Sequence, residues 1–431
     1  MHKKLALTPP MGWNSWDCYG AAVNEEQLLA NADYMAKNLK DYGWEYVVCD
    51  IQWSEPTADS FYYNYFAPLC MDEYSRLIPS VERFPSSANG KGFKPIADYI
   101  HSLGLKFGIH IMRGIPRQAA HQNTKIKCEG VTAKDIAKPS SICLWNPDMY
   151  GLETHKKGAQ EYYDSIFELY AEWGVDFVKI DDICNTNMYP ANPYSAEKEI
   201  EMISAAIEDC GRPIVLSLSP GPAVIEKAHH LKAHANMWRI TDDFWDDWKL
   251  LKGMFERCEV WQEHVGNGNW PDCDMLPLNV LGYGWGKMDD KNNKGWKSKF
   301  TQEEARTMIT LWSIFRSPLM IGTDLPQLDD FSLSLLTNEE IIAMNKNPNR
   351  AYQVSNSCND DLVFWVNEVG DVDETHSYYE CIFNTSEEPK TVRMNTSDTG
   401  LIIRDLWERK DLGTSIEIEI APHACKALLI K

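Results

Sequence analysis

Two acid-bearing segments carry the chemistry this sequence offers. In "WGVDFVKIDDIC", Trp173 to Cys184, an apolar run ends in Asp181 and Asp182, and in "WRITDDFWDDW" Arg239 stands four residues before Asp243. Two carboxylates flanking a glycosidic bond, one as nucleophile and one as proton donor, can cleave it through a glycosyl-enzyme intermediate if they lie about 5 to 5.5 Å apart. Strand alternation puts Lys179 and Asp181 on one face and Ile180 and Asp182 on the other. An inward ammonium beside Asp181 would keep that carboxylate ionised, which suits a nucleophile. Asp243, beside Asp242 and among Phe244 and Trp245, could instead have its proton affinity raised by like charge and desolvation, which suits a donor. Arg239 could clamp sugar hydroxyls or simply pair with the acids around it. Asp182 reads as a capping or loop acid after the strand.

Aromatic residues point the same way. The chain has 16 tryptophans and 19 tyrosines, and several tryptophans sit beside polar residues, as in "GWNSWD", "DIQWSEP", "CLWNPD" and "NWPDCD". A ring offers an apolar face to the C–H side of a sugar while neighbouring carboxylates and amides bond its hydroxyls, although strand-end packing would use the same residues. Metal chemistry has less to work with, because His110 alone stands at a strand end and the histidines of "HHLKAH" fall in a helix between strands. No P-loop or GxGxxG stands at a strand-helix junction, so neither a metal nor an organic cofactor is expected.

Composition excludes other classes of partner. A formal net charge of -21 in 431 residues argues against nucleic acid and anionic membranes, and no run of 18 apolar residues is present. The expected partner is a small carbohydrate, and nothing bars a homo-oligomer. "MHKKLALTPPMGW" has only a three-residue apolar stretch before Thr8, and twelve cysteines are scattered singly without a CxxC pair. Both features suggest reduced thiols in a cytoplasmic protein.

These residues need a frame that brings strand ends together. From residue 8 to about 350, short apolar strands alternate with helical segments in eight repeated units, which close most naturally as a (β/α)8 TIM barrel. The expected strands are Met11 to Trp16, Glu45 to Gln52, Leu105 to Ile111, Asp176 to Asp181, Pro213 to Leu218, Met237 to Ile240, Met275 to Leu281 and Leu319 to Ile321. Their C-terminal ends share one mouth and supply Trp16, Asp50, His110, Lys179, Asp181, Ser219, Arg239, Asp243, Asp272 and Asp274. Long loops after the second and third strands would form its wall. From Ala351 to Lys431 the pattern turns to alternating strands broken by turn residues, an antiparallel β-sandwich domain, so the expected division is 1–350 and 351–431.

Five motifs in order, "TPPMGWNSW", "WGVDFVKID", "WRITDDFWDDW", "NWPDCDML" and "SPLMIGTDL", resemble glycoside hydrolase family 27, the family of α-galactosidases and α-N-acetylgalactosaminidases. The resemblance spans nearly the whole chain. It implies a retaining exo-α-glycosidase without metal or cofactor, with Asp181 as nucleophile, Asp243 as acid/base, and Trp16, Asp50, Lys179 and Arg239 as sugar contacts. Three positions depart from the family pattern. Ile51 in "DIQW" replaces an acid that binds a sugar hydroxyl in α-galactosidases, so the O4/O6 edge of the sugar is read differently. His110 stands where a Tyr is common, with Arg113 or Arg117 nearby to supply polar contacts. Ser219 in "LSLSPGPA" replaces a Glu that faces the 2-hydroxyl, as in enzymes that accept an acetamido group. A β-L-arabinopyranoside or another pyranoside, or a catalytically silent sugar-binding barrel, are the alternatives.

Overall fold

The structure is a computed structural model, and it describes residues 4–186, 189–286, 290–354, 361–369 and 377–431. Eight parallel strands form one curled sheet: β1 (Met11–Asn14), β2 (Tyr46–Cys49), β3 (Lys106–Met112), β4 (Phe177–Asp181), β5 (Val215–Leu218), β6 (Met237–Arg239), β7 (Trp270–Asp272) and β8 (Leu319–Ile321). They lie side by side in the order β7-β6-β5-β4-β3-β2-β1-β8. Leu276, just beyond β7, closes the ring: its N–H donates to the Met320 carbonyl at 2.7 Å, and Gly322 donates back to its carbonyl at 3.2 Å. The result is a (β/α)8 barrel. Gly12 is required where β1 meets β2, because a side chain there would begin 2.4 Å from the Tyr46 carbonyl oxygen.

Seven of the expected strands are present. The seventh is displaced: it is Trp270–Asp272, while of the expected Met275 to Leu281 run Leu276 makes a single parallel bridge to Ile321 and Val280–Leu281 pairs antiparallel with Trp296–Lys297. Pro271 sits inside the true strand, which ends in Asp272 with Asp274 close behind, so the longer apolar run nearby gives the stronger sequence signal. A proline is tolerated here because this strand makes a regular ladder only with β6.

Helices between the strands follow from local signals. In α1 (Glu25–Asn38), Asn24 accepts from the Gln27 N–H while Gln27 accepts from the Asn24 N–H, a reciprocal cap. Helix α2 (Ala159–Trp173) stops at Gly174, whose φ of 84° suits glycine. The loop after β3 carries its own small antiparallel sheet, Ile115–Pro116, Ala137–Ile142 and Met149–Leu152. Trp13, Trp44, Trp53, Trp238, Trp270 and Trp312 of the barrel region and Trp365 of the C-terminal region are fully buried, so packing in the core accounts for part of the tryptophan richness.

The C-terminal region is an antiparallel β domain. Its strands are β9 (Ala351–Gln353), β10 (Leu362–Glu368), β11 (Tyr378–Asn384), β12 (Lys390–Asn395), β13 (Ile403–Asp405), β14 (Lys410–Gly413), β15 (Ser415–Ile420) and β16 (Cys425–Ile430). Six of them form one sheet in the order β9-β10-β11-β16-β13-β14, and β12 pairs with β15 in a second. Ile382, Ile403 and Leu428 of the large sheet pack against Val392 and Ile420 of the small one, the core of a sandwich. Eleven cysteines are described and all are free thiols, whereas Cys358 lies outside the described residues. Among the described residues no helix is long and apolar enough to cross a membrane.

Candidate active site

A pocket of about 360 Å³ opens at the C-terminal mouth of the barrel. Trp16, Phe61, Tyr63 and Trp145 supply its aromatic side, and Asp50, Lys179, Asp181, Asp242 and Asp243 its polar side, with Ile51 and Pro220 between. The rings brace one another: Trp16 stacks on Tyr63 with centroids 6.2 Å apart, and Phe61 lies nearly parallel to Trp285 at 4.8 Å. Trp16 and Trp145 were legible as tryptophans beside polar groups. Phe61 and Tyr63 have no polar motif of their own, and the density of rings in "FYYNYF" of the β2 loop is the one sequence signal that points to them.

Asp181 is held through both of its carboxylate oxygens. His110 bonds Oδ2 through Nε2 at 2.7 Å, and the Ser219 hydroxyl donates to Oδ1. Burial works against ionisation, but the Lys179 ammonium and these two bonds overcome it and hold the carboxyl well below the ordinary range. Each oxygen accepts one such bond and keeps a second lone pair. Lys179 donates to Asp50 Oδ2 at 3.0 Å, and Asn14 donates to the same oxygen at 2.8 Å. Burial disfavours the ammonium, yet Asp50 and Asp181 raise its pKa, while Asp50 is in turn held down by Lys179 and His110 against its own burial. Trp16, Asp50 and Lys179 therefore face the pocket, whereas His110 and Ser219 act on Asp181.

Asp243 sits across a more open stretch of wall, with 55% of its side chain exposed, so the free protein does not supply the desolvation that its aromatic neighbours suggested. Arg239 lies 3.3 Å from it and 2.8 Å from Asp274, and so spends its charge on the two acids. Asp274 accepts from the Phe244 N–H at 2.8 Å, tying down the segment that carries Asp243. Burial, opposed by Arg239 and reinforced by Asp243 and Asp272, pushes the Asp274 carboxyl up to about 7.

Asp182 turns away from the pocket. Its φ of 56° is left-handed, a region that Asp and Asn enter more readily than most residues. It pairs with Arg113 at 2.8 Å, and Arg113 also reaches Glu199 at 3.0 Å, whose other oxygen accepts from the Tyr163 hydroxyl at 2.6 Å. Burial raises the Asp182 carboxyl to about 6, with Arg113 opposing and Glu199 and Asp181 adding to the rise. Because the folded protein binds this proton more tightly than the unfolded chain, the group favours folding below about pH 4 and that contribution is lost as pH rises through about 6. Thermal melts should accordingly show a smaller drop in Tm between pH 4 and 7 for Asp182→Asn than for the parent, and identical profiles would contradict the assignment. Asparagine keeps the left-handed backbone accessible, so the variant is expected to fold.

A pocket with ring faces on one side and carboxylates on the other, at the mouth of a (β/α)8 barrel, is the site of an O-glycosyl hydrolase. The sequence model of the family described as alpha galactosidase A (Melibiase_2) matches residues 8–138 and 148–347. The crystal structure of a GH27 β-L-arabinopyranosidase from Geobacillus stearothermophilus is 53% identical in sequence with a TM-score of 0.92, covering 100% of this chain and 98% of that one. Alpha-galactosidase 3 of Arabidopsis thaliana is 29% identical over 441 residues, 99% of this chain and 82% of that protein. The alpha-N-acetylgalactosaminidase of Gallus gallus is 27% identical over 365 residues, 80% of this chain and 71% of that protein. The chain belongs to glycoside hydrolase family 27.

Proposed function

We propose that this enzyme is a retaining exo-glycosidase that removes terminal β-L-arabinopyranosyl residues. β-L-Arabinopyranose shares the C1 to C4 configuration of α-D-galactopyranose and differs in having no hydroxymethyl group at C5. The observation that carries the reading is Ile51. It is 3% exposed and packs with Met112, Cys143 and Met149 behind Trp16, Tyr63 and Trp145, yet it lines the pocket beside Asp50. An aliphatic wall accepts a bare C5 methylene and leaves a 6-hydroxyl without a partner, a loss of about 1–3 kcal/mol or roughly 10- to 100-fold in discrimination. The 53% identity to the Geobacillus β-L-arabinopyranosidase supports the same choice. Ser219 gives little support to an acetamido-binding role, since its hydroxyl is spent on Asp181.

In this mechanism an oxygen of ionised Asp181 attacks C1 as Asp243 protonates the departing glycosidic oxygen. Asp243 then takes a proton from water, which attacks C1 of the glycosyl ester and releases Asp181, so two inversions give net retention. A bound sugar covering Asp243 would exclude bulk water from the proton transfer in the first step. Asp50 and Lys179 bond sugar hydroxyls while Trp16 takes an apolar face.

Initial rates on nitrophenyl β-L-arabinopyranoside, α-D-galactopyranoside and α-N-acetylgalactosaminide test the assignment. The arabinopyranoside should have the highest kcat/KM, by at least about tenfold. In Ile51→Asp the new carboxylate can bond a 6-hydroxyl, and the ratio should shift toward the galactoside by about 10-fold or more. A parent enzyme that prefers the galactoside, or a ratio unmoved by the substitution, would overturn the specificity.

A further inference from the structure

A second cavity, about 420 Å³ and so no smaller than the catalytic pocket, lies where the loops after β2 and β3 meet. Its wall is made by Phe66, Arg117, Asp148 and Tyr150, with His121 and Gln122 on its open side. The Arg117 guanidinium lies between two rings, 4.8 Å from the Phe66 centroid and 5.2 Å from that of Tyr150. One of its amino groups donates to the Pro147 carbonyl at 2.7 Å, but Nε is buried and has no acceptor among the described residues. A buried donor of this kind calls for an acceptor brought by a ligand or water. Phe66 is 76% exposed, so water covers the rest of a large apolar ring. A pyranose answers both needs, with a C–H face for the ring and an oxygen for the donor.

Among the described residues, the lining of the cavity has no pair of carboxylates with which to cleave what it holds. Its one acid, Asp148, accepts a 2.5 Å bond from the Gln52 side chain. Gln52 follows Ile51, which lines the catalytic pocket, and both line the narrow cleft that reaches Leu69 and Asp148 of the second cavity. One residue step and one glutamine side chain separate the two sites, about 10 Å. We propose that this cavity is a non-catalytic subsite that holds a neutral pyranose unit of the glycan from which the terminal residue is removed. The inference rests on the reading of the catalytic pocket only for the claim that this glycan is the substrate. A neutral unit suits Asp148 in the wall and the net charge of -21 better than an acidic one.

Calorimetric titration of the intact enzyme with xylotetraose, mannotetraose and β-linked galactotetraose tests it, with saturating L-arabinose present to occupy the catalytic pocket. At least one of the three should bind. Phe66→Ala and Arg117→Met should each weaken that binding by about fivefold or more, and Phe66→Ala should keep turnover of nitrophenyl β-L-arabinopyranoside within about twofold of the parent. No binding by any of the three, binding untouched by both substitutions, or tighter binding of an oligogalacturonide would overturn the subsite. Absence of nitrophenyl glycoside turnover in the parent would instead sink the proposed activity and leave the binding result standing.

Discussion

Replacing Asp181 with alanine is expected to lower kcat on nitrophenyl β-L-arabinopyranoside by about 10⁴- to 10⁶-fold while the fold survives. The cost is large because no other group in the pocket is placed as Asp181 is. Lys179, His110 and Ser219 all act to keep that carboxylate charged and fixed. Alanine also leaves room for a small anion beside Lys179. Added azide should therefore restore turnover and yield the glycosyl azide of inverted configuration, a product the parent enzyme does not form. Full activity in Asp181→Ala, or azide rescue with retained configuration, would contradict the nucleophile. Asp182→Asn is the natural comparison, since that neighbour faces Arg113 and not the pocket and asparagine keeps its left-handed backbone accessible, and it should retain far more activity.

Asp243→Ala should produce a second large effect that depends on the leaving group. With methyl β-L-arabinopyranoside, whose alkoxide cannot depart without a proton, kcat/KM should fall by about 10²- to 10⁴-fold. With a dinitrophenyl glycoside, whose phenolate leaves unaided, kcat/KM should change much less, and the covalent intermediate should accumulate because water loses its base. A burst of dinitrophenol followed by slow turnover is the expected trace. Equal losses on the two substrates would count against the acid/base role. Arg239→Lys provides a check on the surroundings, because Arg239 spans Asp243 and Asp274 and its loss should disturb both substrates alike.

Much of this arrangement can be read from residue order. β4 was legible because its apolar run is unbroken and Lys179 and Asp181 share a face, and the structure puts Lys179 and Asp181 in one pocket. The closure of eight units was legible because helical and strand periods alternate with clear caps, as at Asn24 and Gly174. β7 was not, because a three-residue strand containing Pro271 has almost no periodicity of its own and depends on pairing with β6. Sequence neighbours also misled about environment. Asp243 is followed by Phe244 and Trp245, yet Phe244 points into the core while Asp243 stays in the open mouth. The roles of His110 and Ser219 depended on which way each strand end faces Asp181, and Phe61 and Tyr63 come from a loop whose path no local pattern specifies. Ile51 is the case in which one residue type carried a chemical consequence directly: an aliphatic side chain next to Asp50 cannot bond a hydroxyl in any fold.

The most direct test of the account follows the hydrolysis of nitrophenyl β-L-arabinopyranoside by the parent enzyme with proton NMR, from the first minutes, before the released sugar equilibrates. A retaining enzyme with this substrate gives β-L-arabinopyranose first, with the α anomer growing in only as mutarotation proceeds. If the α anomer appeared first, or if no arabinose were released while an α-galactoside was cleaved, the account of this pocket would be wrong.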